Sequence, residues 1–309
     1  MRKQLCDALV ARAEKSRIEK TASGNSGMVF LTGDLGFMAL EALQQALGPR
    51  FINAGVAEQN MVSVAAGLAR QNLEVWVYSI APFCYARPFE QIRNDITFHN
   101  LPVKLIGNGG GYGYGVMGPT HHAIEDYGVL LTLPNMSVYV PVFDEDMDAV
   151  ITRAGNSSHP AYIRMGRGEP PKGYTVPAYA PWRQLSRGNG PVVIVVGPLA
   201  GTYIGAFERL PPETRPNLWV VSELPIELNP LPSELVKQIE NSSSLCVAEE
   251  HVRRGGFGSE LMLHLADKNI VLRRFRHLYA RAHHFDRYGS QSFLRKQSAL
   301  DVDSMLAIL

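Results

Sequence analysis

One carboxylate, Glu58, stands near the start of a stretch rich in small residues, FINAGVAEQNMVSVAAGLAR over 51–70. Met61, Val64, Ala65, Leu68 and Ala69 recur at three- and four-residue spacing, which predicts one apolar helical face. An acid in such a setting is poorly solvated. It either holds its proton more tightly than usual or needs a dedicated partner. On these twenty residues alone, a Glu that caps its own helix is the preferred reading. Downstream, His121 and His122 precede Glu125 and Asp126, a set that could suggest a metal site. Adjacent histidines point apart and the spacing matches no zinc signature, so no metal site is expected in this chain. Phe83, Tyr85 and Phe89 follow the apolar run VWVYSI at 75–80. Aromatic rings at the carboxyl end of a parallel strand suit either ligand binding or core packing.

Other patterns fail on their context. Gly113, Gly115 and Gly118 match GxGxxG, but Pro119 follows at once and position 133, where a ribose-binding acid belongs, is Leu133. Such a density of glycine still implies backbone lying close to a ligand or another subunit. Thr32-Gly33-Asp34 with Asn60 is a poor GDG…N diphosphate signature, because Leu35 replaces the second glycine. No GxSxG elbow is present. His99, His264 and His277 are read as structural.

These residues need elements to hold them. The pattern predicts a helix over 1–20 and strands at 28–32, 51–53, 75–80, 103–107, 137–141 and 161–165. Helices are expected from 37, from 58, over 86–99, near 123 and from just after Asp144 through Arg153. The strands are apolar on both faces, which argues a parallel sheet covered on both sides. Residues 168–191, rich in Pro, Gly and Tyr, read as a linker. Alternation restarts with strands at 192–196, 218–221, 245–249 and 271–275 and helices at 199–210, 232–240 and 259–266. One or two helices end the tail, 286–309. The fold class is α/β, with two parallel-sheet domains at 1–185 and 186–309.

With 309 residues and a net charge of +1, the chain has ample core and no global field for nucleic acid or an anionic membrane. The three cysteines, Cys6, Cys84 and Cys246, lie far apart without a CxxC, which suits a reducing cytoplasm. The N-terminus MRKQLCDALVARAEK reads as a charged helix rather than a signal peptide, and no apolar run reaches spanning length.

Taken together, TGDLG (32–36), FINAGVAEQNMVSVAAGLA (51–69), RPFEQIRND (87–95), GPTHHAIED (118–126), SVYVPVFDEDM (137–147), AEEHVRRGGFGSE (248–260) and RYGSQSFLRK (287–296) resemble the transketolase family of thiamine diphosphate enzymes. The resemblance implies a pyrimidine-binding domain followed by the family's carboxy-terminal domain. No domain for the cofactor's diphosphate and Mg2+ is recognisable. The chain thus looks like the small subunit of a split transketolase, completed by a separate polypeptide in an α2β2 assembly. By the same resemblance Glu58 contacts N1′ of the cofactor's aminopyrimidine and assists activation of its thiazolium carbon. Phe83 stacks on the pyrimidine, with Tyr85, Arg87 and Phe89 as neighbours. His121 faces the substrate's reacting end, His122 stands where the family has Gln, and Arg167, with Arg164 as second choice, holds a distal phosphate. The residues 249–251, 255, 256 and 258 are recognisable but suggest no chemistry.

Two departures bear on substrate. Met117 stands where the family has an acid for a sugar hydroxyl. A second substrate histidine falls on the Asn108-Gly109-Gly110 stretch. A specialised sugar, such as a modified sugar or a sugar nucleotide, is therefore expected rather than ordinary pentose phosphates. The rivals are a pyruvate-using subunit, similar to the β subunit of 2-oxoacid dehydrogenases or to deoxyxylulose phosphate synthase, and a non-catalytic interaction subunit.

Overall fold

A computed structural model describes residues 1–23, 27–283 and 288–309. The chain divides into two compact units. Met1–Asn108, Leu130–Tyr139 and Asp144–Met165 form the first, and Gly109–Val129, Val140–Phe143 and Gly166–Leu309 the second.

In the first unit six strands run in the spatial order β5-β6-β4-β3-β1-β2. They are β1 (Met28–Thr32), β2 (Phe51–Asn53), β3 (Glu74–Ile80), β4 (Lys104–Asn108), β5 (Ser137–Tyr139) and β6 (Ala161–Met165). Every pair is parallel. β1, β4 and β6 are buried at every position, the burial that continuous apolar runs demand when helices cover both faces. The helices are α1 (Arg2–Ser23), α2 (Glu41–Leu47), α3 (Glu58–Arg70), α4 (Ala81–Tyr85), α5 (Phe89–Gln91) and α7 (Met147–Asn156), while α6 (Asp126–Leu130) belongs almost wholly to the second unit. β1 and β2 end together. Asn53 Nδ2 donates to Asp34 Oδ1 at 3.0 Å, which ties the TGDLG turn to the segment leading into α3.

The second unit is a five-stranded sheet in the order β12-β11-β8-β9-β7. Its strands are β7 (Trp182–Ser186), β8 (Val192–Val196), β9 (Asn217–Val221), β11 (Ser244–Glu249) and β12 (Arg274–Tyr279); the two-residue β10 is Glu223–Leu224. β7 runs antiparallel to β9 and the other pairs are parallel. The helices are α8 (Gly201–Phe207), α9 (Ser233–Ser242), α10 (Phe257–Asp267), α11 (Gln291–Gln297) and α12 (Val302–Leu306). Val193, Val195, Leu199, Tyr203, Phe207 and Met305 belong to its central cluster.

Several expected elements move. The linker over 168–191 ends in β7, an edge strand that period-two reading misses because Arg183 and Gln184 interrupt the apolar run. The last strand lies at 274–279 rather than 271–275, since its exposed face carries Arg274 and Arg276. The helix expected over 86–99 breaks at Pro88 and continues as a π turn over Ile92–Thr97. α2 begins at Glu41, four residues after the expected start, behind a turn in which Met38 has positive φ. The start of the tail, Asp286 and Arg287, lies outside the described residues. Among the described residues, no helix is long and apolar enough to cross a membrane.

Candidate active site

Glu58 is the first residue of α3, so it sits at the positive end of the helix dipole. It does not cap: the N-cap is Ala57, and no side chain bonds there. The carboxylate is 5% exposed, and Arg87 Nη1 donates to its Oε2 at 2.9 Å. Of the two solutions the sequence left open for a poorly solvated acid, the structure contains the dedicated partner. α3 buries Met61, Val62, Ala65, Ala66 and Ala69. Val64, expected on that face, is 40% exposed, and Leu68 is only half-buried. In a helix this rich in alanine the apolar stripe is too weakly marked for periodicity to fix its rotation.

α4 follows β3 directly, with Pro82 in its first turn, and carries Phe83 and Tyr85. Phe83 is half-buried, and the Arg87 guanidinium lies over its ring, 3.9 Å from the centroid. Glu58, Phe83 and Arg87 thus form one cluster. Phe89 opens α5 and is half-buried, whereas Tyr85 is 6% exposed and faces the interior. Cys84, between Phe83 and Tyr85 in sequence, is buried, and that burial pushes its thiol up to about 12.

The cluster fits an aminopyrimidine. A single planar, N–H-bearing group bonds the Glu58 carboxylate while stacking on Phe83, and here that group is the Arg87 guanidinium. An aminopyrimidine is also planar and can share a proton with a carboxylate. Among the described residues no group of three or more His, Cys, Asp or Glu is arranged to hold a metal ion.

Asn108 ends β4 at 8% exposure, and the glycine-rich loop begins after it. Short 3-10 turns at Gly115–Met117 and Pro119–His121 replace the helix that a dinucleotide fingerprint requires. Gly111 has φ +64, and a Cβ there would come within 2.6 Å of Glu250 Oε2. Glu250 is in turn held by Arg295 Nε at 2.7 Å and by Gln291 Nε2 at 2.9 Å. The close approach, expected to a ligand or another subunit, is at Gly111 to the chain's own Glu250.

That contact is one of several through which the 249–258 motif, read from the sequence as mainly structural and interfacial, holds its surroundings. Glu249, fully buried at the end of β11, accepts from the amides of Phe257 and Gly258 at 2.8 and 2.9 Å, from His277 Nε2 at 2.6 Å and from the Tyr127 hydroxyl. Burial alone would raise its proton affinity. The bond from His277, the nearby His251 and the Tyr127 hydroxyl outweigh burial and hold the carboxyl below its usual range. His251 stacks on Tyr127 at 4.1 Å between centroids and accepts from the Gly128 amide at 3.1 Å. The Val252 amide donates to the Ile124 carbonyl at 2.7 Å. These bonds pin the loop over 109–129 to the second sheet.

On that loop, Met117 is 54% exposed and His121 half-exposed. His121 Nδ1 lies 3.0 Å from Thr120 Oγ1, and its ring stands edge-on to Tyr114. His122, read toward substrate by the resemblance, is 2% exposed and in contact with the rings of both Tyr112 and His283. It is buried rather than facing solvent. Arg167 is 81% exposed and paired with Glu169 at 2.6 Å. Arg164, the second choice, is buried inside β6 at 3% exposure. Sequence reasoning missed Tyr112 and His283, which carry no periodic or motif signal, and it weighed Glu125 only as a metal ligand.

Residues 9–172 match the family described as "Transketolase, pyrimidine binding domain". The chain is 28% identical over 283 residues to one subunit of the apulose-4-phosphate transketolase of Phocaeicola vulgatus, covering 88% of this chain and 85% of that protein. The corresponding subunit from Actinobacillus succinogenes is 30% identical, with 83% of each chain covered. A 1-deoxy-D-xylulose-5-phosphate synthase 2 of Geobacter sulfurreducens is 33% identical over 83% of this chain, which spans only 41% of that protein's length. Among solved structures, a split-gene transketolase described as an inactive β4 tetramer superposes with TM-score 0.80 at 26% identity, covering 99% of this chain and 95% of that one. Transketolase from Campylobacter jejuni shares the fold, with TM-score 0.70 at 15% identity over 96% of this chain and 46% of that one. With the matched domain spanning half the chain and relatives aligned nearly end to end, this chain belongs to the transketolase family.

Proposed function

We propose that this chain is the small subunit of a split transketolase. With a separate subunit that holds the diphosphate and Mg2+, it transfers a two-carbon ketol unit from a ketose to an aldehyde or ketone acceptor, in a cytoplasmic α2β2 assembly. The observation that carries this reading is the Glu58–Phe83 pair spanned by a planar N–H donor. When bound, thiamine diphosphate supplies the carbon nucleophile. Glu58 holds a proton at the pyrimidine N1′ atom, and Phe83 fixes the ring plane. His121 donates to the oxygen that gains charge on the substrate carbonyl. Arg167 takes a distal phosphate through its guanidinium fork, exchanging Glu169 for it.

Relatives named as apulose-4-phosphate transketolase subunits, aligned over most of their length, support both the split organisation and a specialised sugar. The relative solved as an inactive β4 tetramer supports activity that waits for the second subunit. A second reading has its own support in the identity to deoxyxylulose phosphate synthases, namely a subunit that uses pyruvate as donor.

Reconstitution with the large subunit tests both. Two-carbon transfer from a ketose donor, abolished by Glu58→Gln with assembly intact, supports the proposal. Pyruvate consumption with release of carbon dioxide favours the second reading. Unchanged turnover in Glu58→Gln overturns both and leaves the non-catalytic subunit.

A further inference from the structure

His283 belongs to no motif that the resemblance identified, yet it meets the loop of His121 at two points. Its ring lies parallel to that of His122, at 8° and 5.7 Å between centroids. Its Nε2 lies 2.5 Å from Glu125 Oε1. The loop therefore straddles His283, with His122 on the ring face and Glu125 on the ring edge.

His122 also meets Tyr112, whose ring stands edge-on at 87° and 5.1 Å. Tyr112 is itself fixed. Its hydroxyl lies 3.0 Å from both the Ala282 carbonyl and Ser298 Oγ. Ala282 precedes His283 in the chain, so one short segment holds both rings that contact His122. Beyond His122 the backbone is locked again, because the amides of Gly111 and Ala123 each donate to the other's carbonyl at 2.9 Å. His121 is the residue immediately before His122 and is half-exposed. Its neighbour's ring is held by these two ring contacts, which restrains the backbone that carries His121.

We propose that His283, together with Glu125, is a positioning residue that acts through His122 to aim His121. This rests on the role proposed above for His121. A merely structural His283 would change stability and leave the behaviour of His121 alone. A positioning His283 changes turnover only while His121 is present.

The test is a double-mutant cycle in the reconstituted complex, using a ketose donor and an aldehyde acceptor. His283→Ala is expected to lower kcat about tenfold or more, with the half-saturating thiamine diphosphate concentration unchanged. In a His121→Ala background the same substitution should change kcat by less than about twofold. His283→Phe keeps the ring stack and should recover part of the loss. Losses that multiply across the cycle, or an unaltered kcat in His283→Ala, overturn the proposal. A second readout needs no turnover. In the full chain labelled with 13C-histidine, His283→Ala should shift the His121 ring resonances, and an unmoved signal overturns the restraint. If the wild-type complex transfers no two-carbon unit, the proposed function fails, while the labelled signal still decides the restraint.

Discussion

Arg87 donates to Glu58 at 2.9 Å while its guanidinium lies 3.9 Å above the Phe83 ring. One side chain thus bridges the acid and the aromatic that the cofactor reading places together. The carboxylate is 5% exposed and the arginine side chain 48%. Removing the arginine leaves a poorly solvated charge, a loss that reaches about 3–5 kcal/mol in fully buried pairs and less where one partner meets water. Arg87→Met should destabilise the chain by about 1–2 kcal/mol in urea unfolding. Glu58→Gln in the same background should return most of that loss, because a neutral amide needs no counter-charge. Additive losses in the double variant would show that the two side chains act independently.

Glu249 gathers two amides, a histidine and a tyrosine around one fully buried carboxylate, whose proton affinity they lower from the ordinary value of 4.5. A carboxyl depressed in the folded state contributes stability that is complete above about pH 4.5. That contribution is lost as pH falls through the ordinary value toward the folded one. The acid limb of the stability profile, followed by urea unfolding between about pH 5 and 3, should therefore be shallower in Glu249→Gln than in wild type. At neutral pH the same variant should lose about 2–4 kcal/mol, since its side-chain nitrogen cannot accept the bonds that the second oxygen takes. Its loop over 109–129 should also exchange amide hydrogens faster. An unchanged acid limb would mean that other carboxyls govern it.

How legible each feature was follows from what periodicity can carry. The run VWVYSI reads as a buried strand without ambiguity, and β3 occupies it. Glu58 at the head of α3 was equally legible, but its partner was not. Nothing in the local pattern distinguishes a capping acid from one paired with Arg87, and only the α4–α5 turn brings Arg87 back. The glycine loop had the same limit. Its composition announces a close approach, while the identity of the neighbour depends on β11, which ends at Glu249 with Glu250 directly after it. His283 was illegible for a simpler reason. A single histidine in an irregular segment has no period, and its meaning comes entirely from the two loop residues it touches.

Lys104, at the start of β4, is 1% exposed and donates to the carbonyls of Ser157 and His159 at 2.8 and 2.5 Å. Burial lowers its pKa from 10.5 to about 7, with Glu74 opposing the shift and Arg12 adding to it. Between pH 7 and 10.5 the unfolded chain holds a proton that the folded chain has released. Stability should therefore rise with pH across that window, by an amount on the order of 2–4 kcal/mol. Buried Cys84 and Cys246, both pushed up from 9.0 to about 12, work in the opposite sense above pH 9.0. The informative quantity is thus the difference between wild type and Lys104→Met at each pH, measured by urea unfolding. The variant carries a constant offset from its two lost hydrogen bonds and should lack the Lys104 slope. Parallel profiles for the two proteins would show that Lys104 stays charged in the fold.

Met117 bears on the choice of sugar. It is 54% exposed, follows Val116 at 66%, and lies in a short 3-10 turn just before the segment that carries His121. The resemblance puts at this position an acid that meets a sugar hydroxyl. A carboxylate that accepts such a hydroxyl discriminates strongly, because its loss leaves a polar group unpaired, whereas a thioether contributes shape and apolar contact alone. Met117→Asp in the reconstituted complex should therefore raise kcat/KM for ordinary pentose phosphate acceptors by about tenfold and lower it for a deoxy or branched sugar. Assays of both acceptor classes with a common donor measure the ratio directly. Equal changes for both classes would remove Met117 from the determinants of specificity. Wild-type turnover of xylulose and ribose phosphates at the rate of a housekeeping transketolase would remove the specialised-sugar reading itself.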